Sequence, residues 1–173
     1  VLSDMVNKEI PEWGRTLTDA ELHSEMFADI FVGGSETTTN ALSGGLLMLI
    51  EKPEMWEQIS ADPENLLPIF IEEVVRLEGP VQGLLRETSE DVTLHDVFIP
   101  SGSIVNLRFA AANRDGEAFG CPADIDLQRE NVKSHLGYGF GVHFCLGAPL
   151  ARRELYWGFK AFMDKVSSVR FAP

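Results

Sequence analysis

The segment YGFGVHFCLG at residues 138–147 places one cysteine, Cys145, in a glycine-rich loop that leads into a helix-forming stretch. The unpaired N–H groups and the positive dipole end of that helix favour a thiolate over a thiol, which prepares the sulfur to bind a metal. Glycines at 139, 141 and 147 let the backbone approach a large flat group without Cβ collisions. The segment therefore predicts a planar, metal-bearing cofactor at Cys145.

The composition is that of one acidic domain. The chain has 173 residues, of which 45% are apolar, enough for the core of a single domain. Its formal net charge of −13 disfavours nucleic acid and anionic membrane surfaces as partners. No apolar run reaches the roughly 18 residues of a spanning helix, so we expect no membrane segment in this piece. The two cysteines, Cys121 and Cys145, make no disulfide framework, which favours a reducing, cytoplasmic location.

The first 50 residues favour helices. Residues 1–6 form an amphipathic helical pattern. Residues 18–21, Thr-Asp-Ala-Glu, are a capping box, so a helix should begin at Asp19 and run to about Ile50. The pair Gly33-Gly34 lowers helix propensity by about 1 kcal/mol per glycine, which indicates a kink or a close approach by another group.

Prolines indicate where the next helices start. Pro53 fits the first turn of a short helix that ends at Ile59, and Pro68 fits the first turn of a helix over Ile69–Leu77. A last helix is expected from about Pro149 to Val166.

The middle of the chain favours strands. Apolar runs separated by turn residues over 92–105 predict a small antiparallel sheet. One helical turn is expected over 110–113, an irregular connector over 115–134, and the start of a strand at 169–173. The predicted fold class is therefore mainly α with a small antiparallel β sheet.

Four segments resemble, in order and approximate spacing, those of the cytochromes P450. Residues 138–147 resemble the haem-binding loop, and FVGGSETTTN at 31–40 resembles the oxygen-activating helix. EVVR at 73–76 is similar to the E-x-x-R pair of a later helix, and PVQGLLR at 80–86 to a segment whose arginine binds a haem propionate in bacterial-type members. The resemblance covers nearly the whole chain and implies a partial P450-like fold.

The resemblance implies that residues 1–173 are the C-terminal part of a single cytochrome P450 domain, without its N-terminal half and final sheet hairpin. The full-length protein would be a haem-thiolate monooxygenase that inserts one atom of dioxygen into an apolar small molecule. The alternative is a truncated domain that binds haem poorly and catalyses nothing, because an intact active site needs both halves.

The resemblance assigns cofactor-binding roles within the cysteine loop. Cys145 would be the axial thiolate ligand of haem b, which favours O–O cleavage. His143 matches the propionate-binding histidine, and Arg86 is a second propionate candidate because a guanidinium pairs well with a carboxylate. Tyr138 stands where the family usually has Phe or Trp, and Gly139 belongs to the turn beneath the cofactor. Without the resemblance these residues are a small buried cysteine, a loop histidine and a surface arginine.

Glu36 and Thr37 are the candidate catalytic residues. Hydroxyls at 37, 38 and 39 often bond back to a carbonyl one turn earlier, which bends a helix and leaves room for water or oxygen. In the family the acid and the first threonine deliver protons to dioxygen. The plain alternative is a helix with polar residues on its solvent face.

Glu73 and Arg76 are i,i+3 neighbours on a mostly apolar helix, so we expect a buried ion pair. By the resemblance Arg129 of the connector joins this pair, and the role of all three is structural.

Two further sets of side chains bear on partners. The apolar set lies beside Arg86 and consists of Val81, Leu84 and Leu85. The basic set lies on or near the last helix and consists of Arg152, Arg153, Lys160 and Lys165. The first set suggests an apolar substrate, although such residues are usually core. The second could bind an acidic ferredoxin-type electron donor, although solvated charges explain it as well.

Two rival classes use the same residues. A zinc site could draw on Cys121, His135, His143 and Cys145, but their spacing lacks the paired ligands of structural zinc sites. A cysteine hydrolase using Cys145 and His143 would need a third orienting group that the sequence does not identify.

Overall fold

The computed structural model describes residues 2–171. The helix expected at residues 1–6 is α1, Leu2–Asn7, and Val1 lies outside the described residues. At the other end, residues 169–171 form no strand, so that part of the expectation for 169–173 is wrong, and Ala172 and Pro173 lie outside the described residues.

A continuous helical segment runs from Asp19 to Glu51 as α2, Asp19–Ser24, a π-helical segment, Glu25–Phe31, and α3, Val32–Glu51. The capping box is present: Glu21 N donates to Thr18 Oγ1 over 3.3 Å, and Thr18 N donates to the Glu21 carboxylate over 2.8 Å. The start at Asp19 is confirmed. The distortion lies in the π-helical segment, which ends at Phe31, two positions before Gly33, and such segments are frequent at functional sites.

Two helices follow, α4, Pro53–Ala61, and α5, Pro63–Glu78. The prediction that Pro68 occupies a first turn is wrong: Pro63 does, and Pro68 lies inside α5. The turn before Pro68 buries Leu67 completely. Tertiary packing of this kind can outweigh the backbone hydrogen bond that an internal proline removes.

The strands form two antiparallel pairs rather than one sheet. β1, Leu84–Glu87, pairs with β4, Ile104–Leu107, and β2, Val92–Leu94, pairs with β3, Val97–Ile99. The β2–β3 hairpin turns at His95-Asp96, where both φ angles are positive, as its two-residue loop requires.

The rest follows the sequence pattern. The expected helical turn is α6, Phe109–Ala112, and the connector after it is irregular apart from a short 3-10 turn at Val132–Ser134. The last helix is α7, Ala148–Met163. None of the helices in the part of the chain described here is long and apolar enough to cross a membrane.

The core lies where α3, α5 and α7 meet. Gly45 marks the closest approach: a Cβ there would lie 2.4 Å from Phe159 Cζ of α7 and 3.0 Å from Val74 Cγ2 of α5. Phe70 and Phe159 pack edge to face inside this core, with ring centroids 5.4 Å apart. This core holds α5 and α7 in place, and these two helices support the cysteine loop.

Candidate cofactor site

The loop around Cys145 folds back on itself. The Cys145 N–H donates to the Tyr138 carbonyl over 2.8 Å, and the Phe144 N–H donates to Gly141 O over 3.1 Å. Gly139 and Gly141 have φ angles of 74° and 71°, a left-handed conformation that favours glycine. The loop thus brings together four of the predicted site residues, Tyr138, Gly139, His143 and Cys145.

The sulfur of Cys145 lies at the start of α7. Cys145 is free and exposed, and a Cβ added at Gly147, the residue that caps α7, would lie 3.8 Å from its Sγ. The N-terminus of a helix favours a thiolate. Thiolate sulfur is a soft ligand that suits haem iron.

The loop presents apolar side chains outward on both sides of Cys145. Phe140, Val142 and Leu146 are 83%, 97% and 96% exposed. Apolar groups concentrated on one exposed loop mark a binding surface. Together with the free thiol, they fit a large apolar cofactor that is ligated by sulfur.

Arg86 lies on β1 and is exposed. Its guanidinium donates to the carbonyl of its neighbour Leu85 over 2.8 Å, and within residues 2–171 it has no carboxylate partner. Its charge is therefore available for an anionic group such as a propionate. Among the described residues no hydrogen bond or ion pair joins Arg86 to the cysteine loop.

Glu36 and Thr37 lie in the first half of α3. Thr37 Oγ1 donates to Gly33 O over 2.7 Å, and Thr39 Oγ1 donates to Ser35 O over 2.8 Å, so the predicted back-bonding is confirmed at Thr37 and Thr39. Among the described residues Thr38 Oγ1 makes no such bond. A Cβ at Gly33 or Gly34 would contact nothing within 4 Å. This face of α3 is open, and no described residue hydrogen-bonds Glu36 or Thr37 to the loop.

The predicted buried pair is present and Arg129 joins it. Glu73 Oε1 lies 2.6 Å from Arg76 Nε and 2.9 Å from Arg129 Nε, and all three side chains are buried. Glu73 Oε2 also accepts from the Asp126 N–H over 2.9 Å. Arg76 and Arg129 donate further to carbonyls between residues 113 and 124. The cluster fixes the connector that precedes the cysteine loop.

A second buried cluster, centred on Glu72, is a finding that the sequence analysis missed. Arg152 of α7 donates through Nε and Nη2 to the Glu72 carboxylate over 2.5 and 3.1 Å. His135 Nε2 lies 3.0 Å from Glu72 Oε2. The Arg152 guanidinium also lies 4.4 Å from the centroid of the Tyr138 ring. Two adjacent acids, Glu72 and Glu73, on an apolar helix were the sequence signal that could have indicated a second buried partner.

This cluster corrects the interpretation of Arg152 as a surface charge. The Arg152 side chain is only 33% exposed, because it forms an ion pair with Glu72 and packs against the ring of Tyr138. Lys160 is likewise paired, 2.5 Å from Asp164. Arg153 and Lys165 remain exposed.

The electrostatics of the cluster keep Glu72 ionised. Burial opposes ionisation of Glu72, but the hydrogen bonds from His135 and Arg152 outweigh it and lower the pKa of Glu72 to about 2. The hydrogen bond to Glu72 raises the pKa of Arg152. Burial raises the pKa of the Tyr138 phenol to about 12, so this ring stays neutral.

The rival metal site finds no support in the described part of the chain. No group of three or more His, Cys, Asp or Glu side chains within it could hold a metal ion. His135 is hydrogen-bonded to Glu72, and both Cys121 and Cys145 are free thiols.

Comparisons with known proteins find similar sequences. The sequence model of the family described as Cytochrome P450 matches residues 1–165. Cytochrome P450 107B1 of Saccharopolyspora erythraea is 39% identical over 165 residues, which cover 95% of this chain and 40% of that protein. The Steroid C26-monooxygenase of Mycobacterium tuberculosis is 41% identical over 155 residues, which cover 90% of this chain and 40% of that protein.

Solved structures give the same result. The ligand-free P450 monooxygenase TamI superposes with a TM-score of 0.90 at 39% identity, over 99% of this chain and 41% of that one. CYP109E1 from Bacillus megaterium, in complex with corticosterone, gives a TM-score of 0.87 at 36% identity, over 95% and 44% of the two chains. The chain thus spans about two fifths of the length of the curated relatives it matches.

Proposed function

Because the chain belongs to the cytochrome P450 family, we propose that residues 1–173 are the C-terminal part of a single P450 domain and that the full-length protein is a haem-thiolate monooxygenase. Supporting this proposal, the free thiol of Cys145 lies at the N-terminus of α7, on a loop with exposed apolar side chains. That observation carries the proposal, because a free thiol at a helix N-terminus, flanked by apolar side chains, is what a sulfur-ligated apolar cofactor requires.

Five residues would hold haem b. Cys145 would ligate the iron through Sγ, while His143 and Arg86 would bind the propionates. The Tyr138 ring and the turn at Gly139 would support the face on the cysteine side. Haem bound in this way supplies the redox-active iron that activates dioxygen, the co-substrate.

Glu36 and Thr37 would supply protons. Thr37 Oγ1 donates to Gly33 O, so the hydroxyl hydrogen is ordered while its lone pairs can accept a hydrogen bond. The exposed Glu36 carboxyl one position earlier can replace a proton that the hydroxyl passes on. The open face at Gly33-Gly34 leaves room for a small molecule beside that hydroxyl.

We propose an apolar small molecule as the substrate. Leu84 and Leu85, next to Arg86, are 41% and 63% exposed, so they are available to contact such a molecule rather than being core. One relative is named a steroid monooxygenase and one similar structure contains corticosterone, which is consistent with this class.

We also propose a cytoplasmic location and a ferredoxin-type electron donor. Free thiols at both cysteines suit a reducing compartment. Arg153 and Lys165, on and just after α7, are exposed cations in an acidic protein and could bind an acidic donor. Arg152 is not part of this proposal, because its guanidinium pairs with Glu72.

The deciding experiment substitutes the ligand sulfur in the full-length protein. Cys145→Ser should abolish the thiolate signature in the spectrum of the reduced carbon monoxide complex. Cys121→Ser is the matched control, since Cys121 is also a free, exposed thiol, and it should retain the signature. A thiolate signature that survives Cys145→Ser would reject the ligand assignment.

The alternative is that this piece is an inactive, poorly haem-binding domain. Titration of the 173-residue chain with haem, followed by its carbon monoxide difference spectrum, separates the two possibilities. A full thiolate signature from the isolated piece would argue against the alternative.

A further inference from the structure

Tyr138 is attached to both the cysteine loop and the helix behind it. Its main-chain carbonyl accepts from the Cys145 N–H over 2.8 Å, so its backbone position determines where the ligand residue sits. Its side chain lies against the Arg152 guanidinium, 4.4 Å from the ring centroid. A cation over an aromatic face is attracted by the ring, which favours this orientation of Tyr138.

Arg152 is itself held rigidly. Two of its nitrogens donate to the Glu72 carboxylate, a geometry that defines the orientation of the guanidinium as well as its position. His135 Nδ1 accepts from the Gly137 N–H over 3.0 Å, so its proton lies on Nε2, which donates to Glu72. Gly137 is the chain neighbour of Tyr138. The contacts therefore form a closed circuit that runs from Tyr138 through Arg152, Glu72 and His135 and back to Gly137.

The ring of Tyr138, rather than its hydroxyl, makes these contacts. The hydroxyl is buried and has no hydrogen-bond partner among the described residues. Arg152, by contrast, contacts the aromatic face, which a phenylalanine would also present.

We propose that Arg152 is a positioning residue for Cys145: held by Glu72, it fixes the Tyr138 ring, and through the Tyr138 carbonyl it fixes the backbone of the ligand cysteine. This inference rests on the proposed role of Cys145 as haem ligand. It assigns to Arg152 a function inside the protein in place of the surface charge that the sequence suggested.

The test uses the full-length haem protein and two disruptive variants. Arg152→Met removes both the ion pair and the stacked cation, and Tyr138→Leu removes the aromatic face. Since loss of a group that orients a metal ligand typically weakens metal binding by about 10-fold to 100-fold, each should raise the rate of haem loss to a scavenger protein by at least about 10-fold. Each should also shift the reduction potential and reduce the thiolate signature of the carbon monoxide complex.

Two variants serve as matched controls. Tyr138→Phe keeps the ring and should lose haem at a rate within about 2-fold of wild type, a far smaller change than loss of an orienting group gives. Glu154→Gln changes an exposed residue of α7 two positions after Arg152 and should behave in the same way. Because the contacts act in series, Arg152→Met/Tyr138→Leu should be no worse than the more severe single variant.

The outcomes separate this inference from the proposed function. Wild-type haem loss and potential in folded Arg152→Met would overturn the positioning role while leaving Cys145 as ligand. Absence of a thiolate signature from the wild-type protein would instead reject the proposed function. If Arg152→Met does not fold, Arg152→Lys decides, because it keeps the charge but not the planar guanidinium that donates twice to Glu72, and it must still raise haem loss.

Discussion

Arg129 Nε lies 2.9 Å from Glu73 Oε1, although the two residues are 56 positions apart in the sequence. The contact joins the connector to α5 at the point where Arg76 already binds the same carboxylate. One buried charge thus receives two guanidinium groups, with backbone carbonyls accepting their remaining hydrogens. Such a cluster holds its segment rigidly but tolerates no loss of a member.

Removing the charge of the central carboxylate, Glu73, should therefore lower the stability of the folded protein strongly. Glu73→Gln leaves two buried arginines without a counter-ion, and we expect it to lower the unfolding free energy by about 3 to 5 kcal/mol. Glu78→Gln is the control on the same helix, because Glu78 is exposed and pairs with Arg114 at 3.2 Å. It should change stability by less than about 1 kcal/mol. Urea unfolding of both variants checks this, and equal losses would contradict it.

Two glycines of α3 should respond oppositely to alanine. Gly45→Ala forces a Cβ to within 2.4 Å of Phe159 and should destabilise by about 1 to 3 kcal/mol. Gly33→Ala meets open space and should stabilise by up to about 1 kcal/mol through helix propensity. Thermal unfolding distinguishes them, and a stabilised Gly45→Ala variant would mean that α3 and α7 are not this close.

Glu72 should make stability depend on acid pH. Its pKa is about 2 in the folded protein against 4.5 ordinarily, so its contribution is present above about pH 5 and is lost as the pH falls towards 2. At about 1.4 kcal/mol per pKa unit, that contribution is about 3 kcal/mol. Glu72→Gln should remove this part of the acid dependence. Urea midpoints of both proteins between pH 2 and 6 test it, and parallel curves would contradict it.

Local signals in the sequence predicted much of this fold. The capping box located the start of α2, and the three-residue spacing of Glu73 and Arg76 predicted their pairing, because both are short-range geometries. The glycine pattern predicted a loop before the last helix, and Gly139 and Gly141 in that loop have the left-handed conformation that favours glycine.

Long-range contacts could not be read in the same way. Arg152 and Glu72 are 80 positions apart, and the sequence around each residue contains no signal that identifies the other as its partner. The helix continues through Pro68 because neighbours such as Leu67 are buried in the core. The rule that places proline in a first helical turn takes no account of burial. The division of the strands into two pairs depends on which edges meet, and turn chemistry alone does not fix that.

The donor proposal predicts a charge effect at Arg153. Arg153→Glu should slow electron transfer from a reduced ferredoxin at low ionic strength by about 10-fold, since steering of charged partners changes association by at least that much. Arg108→Glu is the control, an exposed arginine just before α6. Stopped-flow reduction at several salt concentrations measures both variants. Equal rates for Arg153→Glu and wild type would exclude this surface as the docking site.

Thr37 and Thr39 offer a matched test of the proton role, since both hydroxyls donate to the carbonyl one turn earlier on the same helix. If Thr37 passes protons to dioxygen, Thr37→Ala should leave electron consumption largely intact while product per electron pair falls by on the order of 10-fold or more and peroxide rises. Thr39→Ala loses the same kind of backbone hydrogen bond and should stay coupled. Both are measured in the full-length protein with an apolar compound that it turns over. Because any effect of helix straightening is common to the two variants, only a difference between them supports a proton role at Thr37, and tight coupling in Thr37→Ala would exclude it.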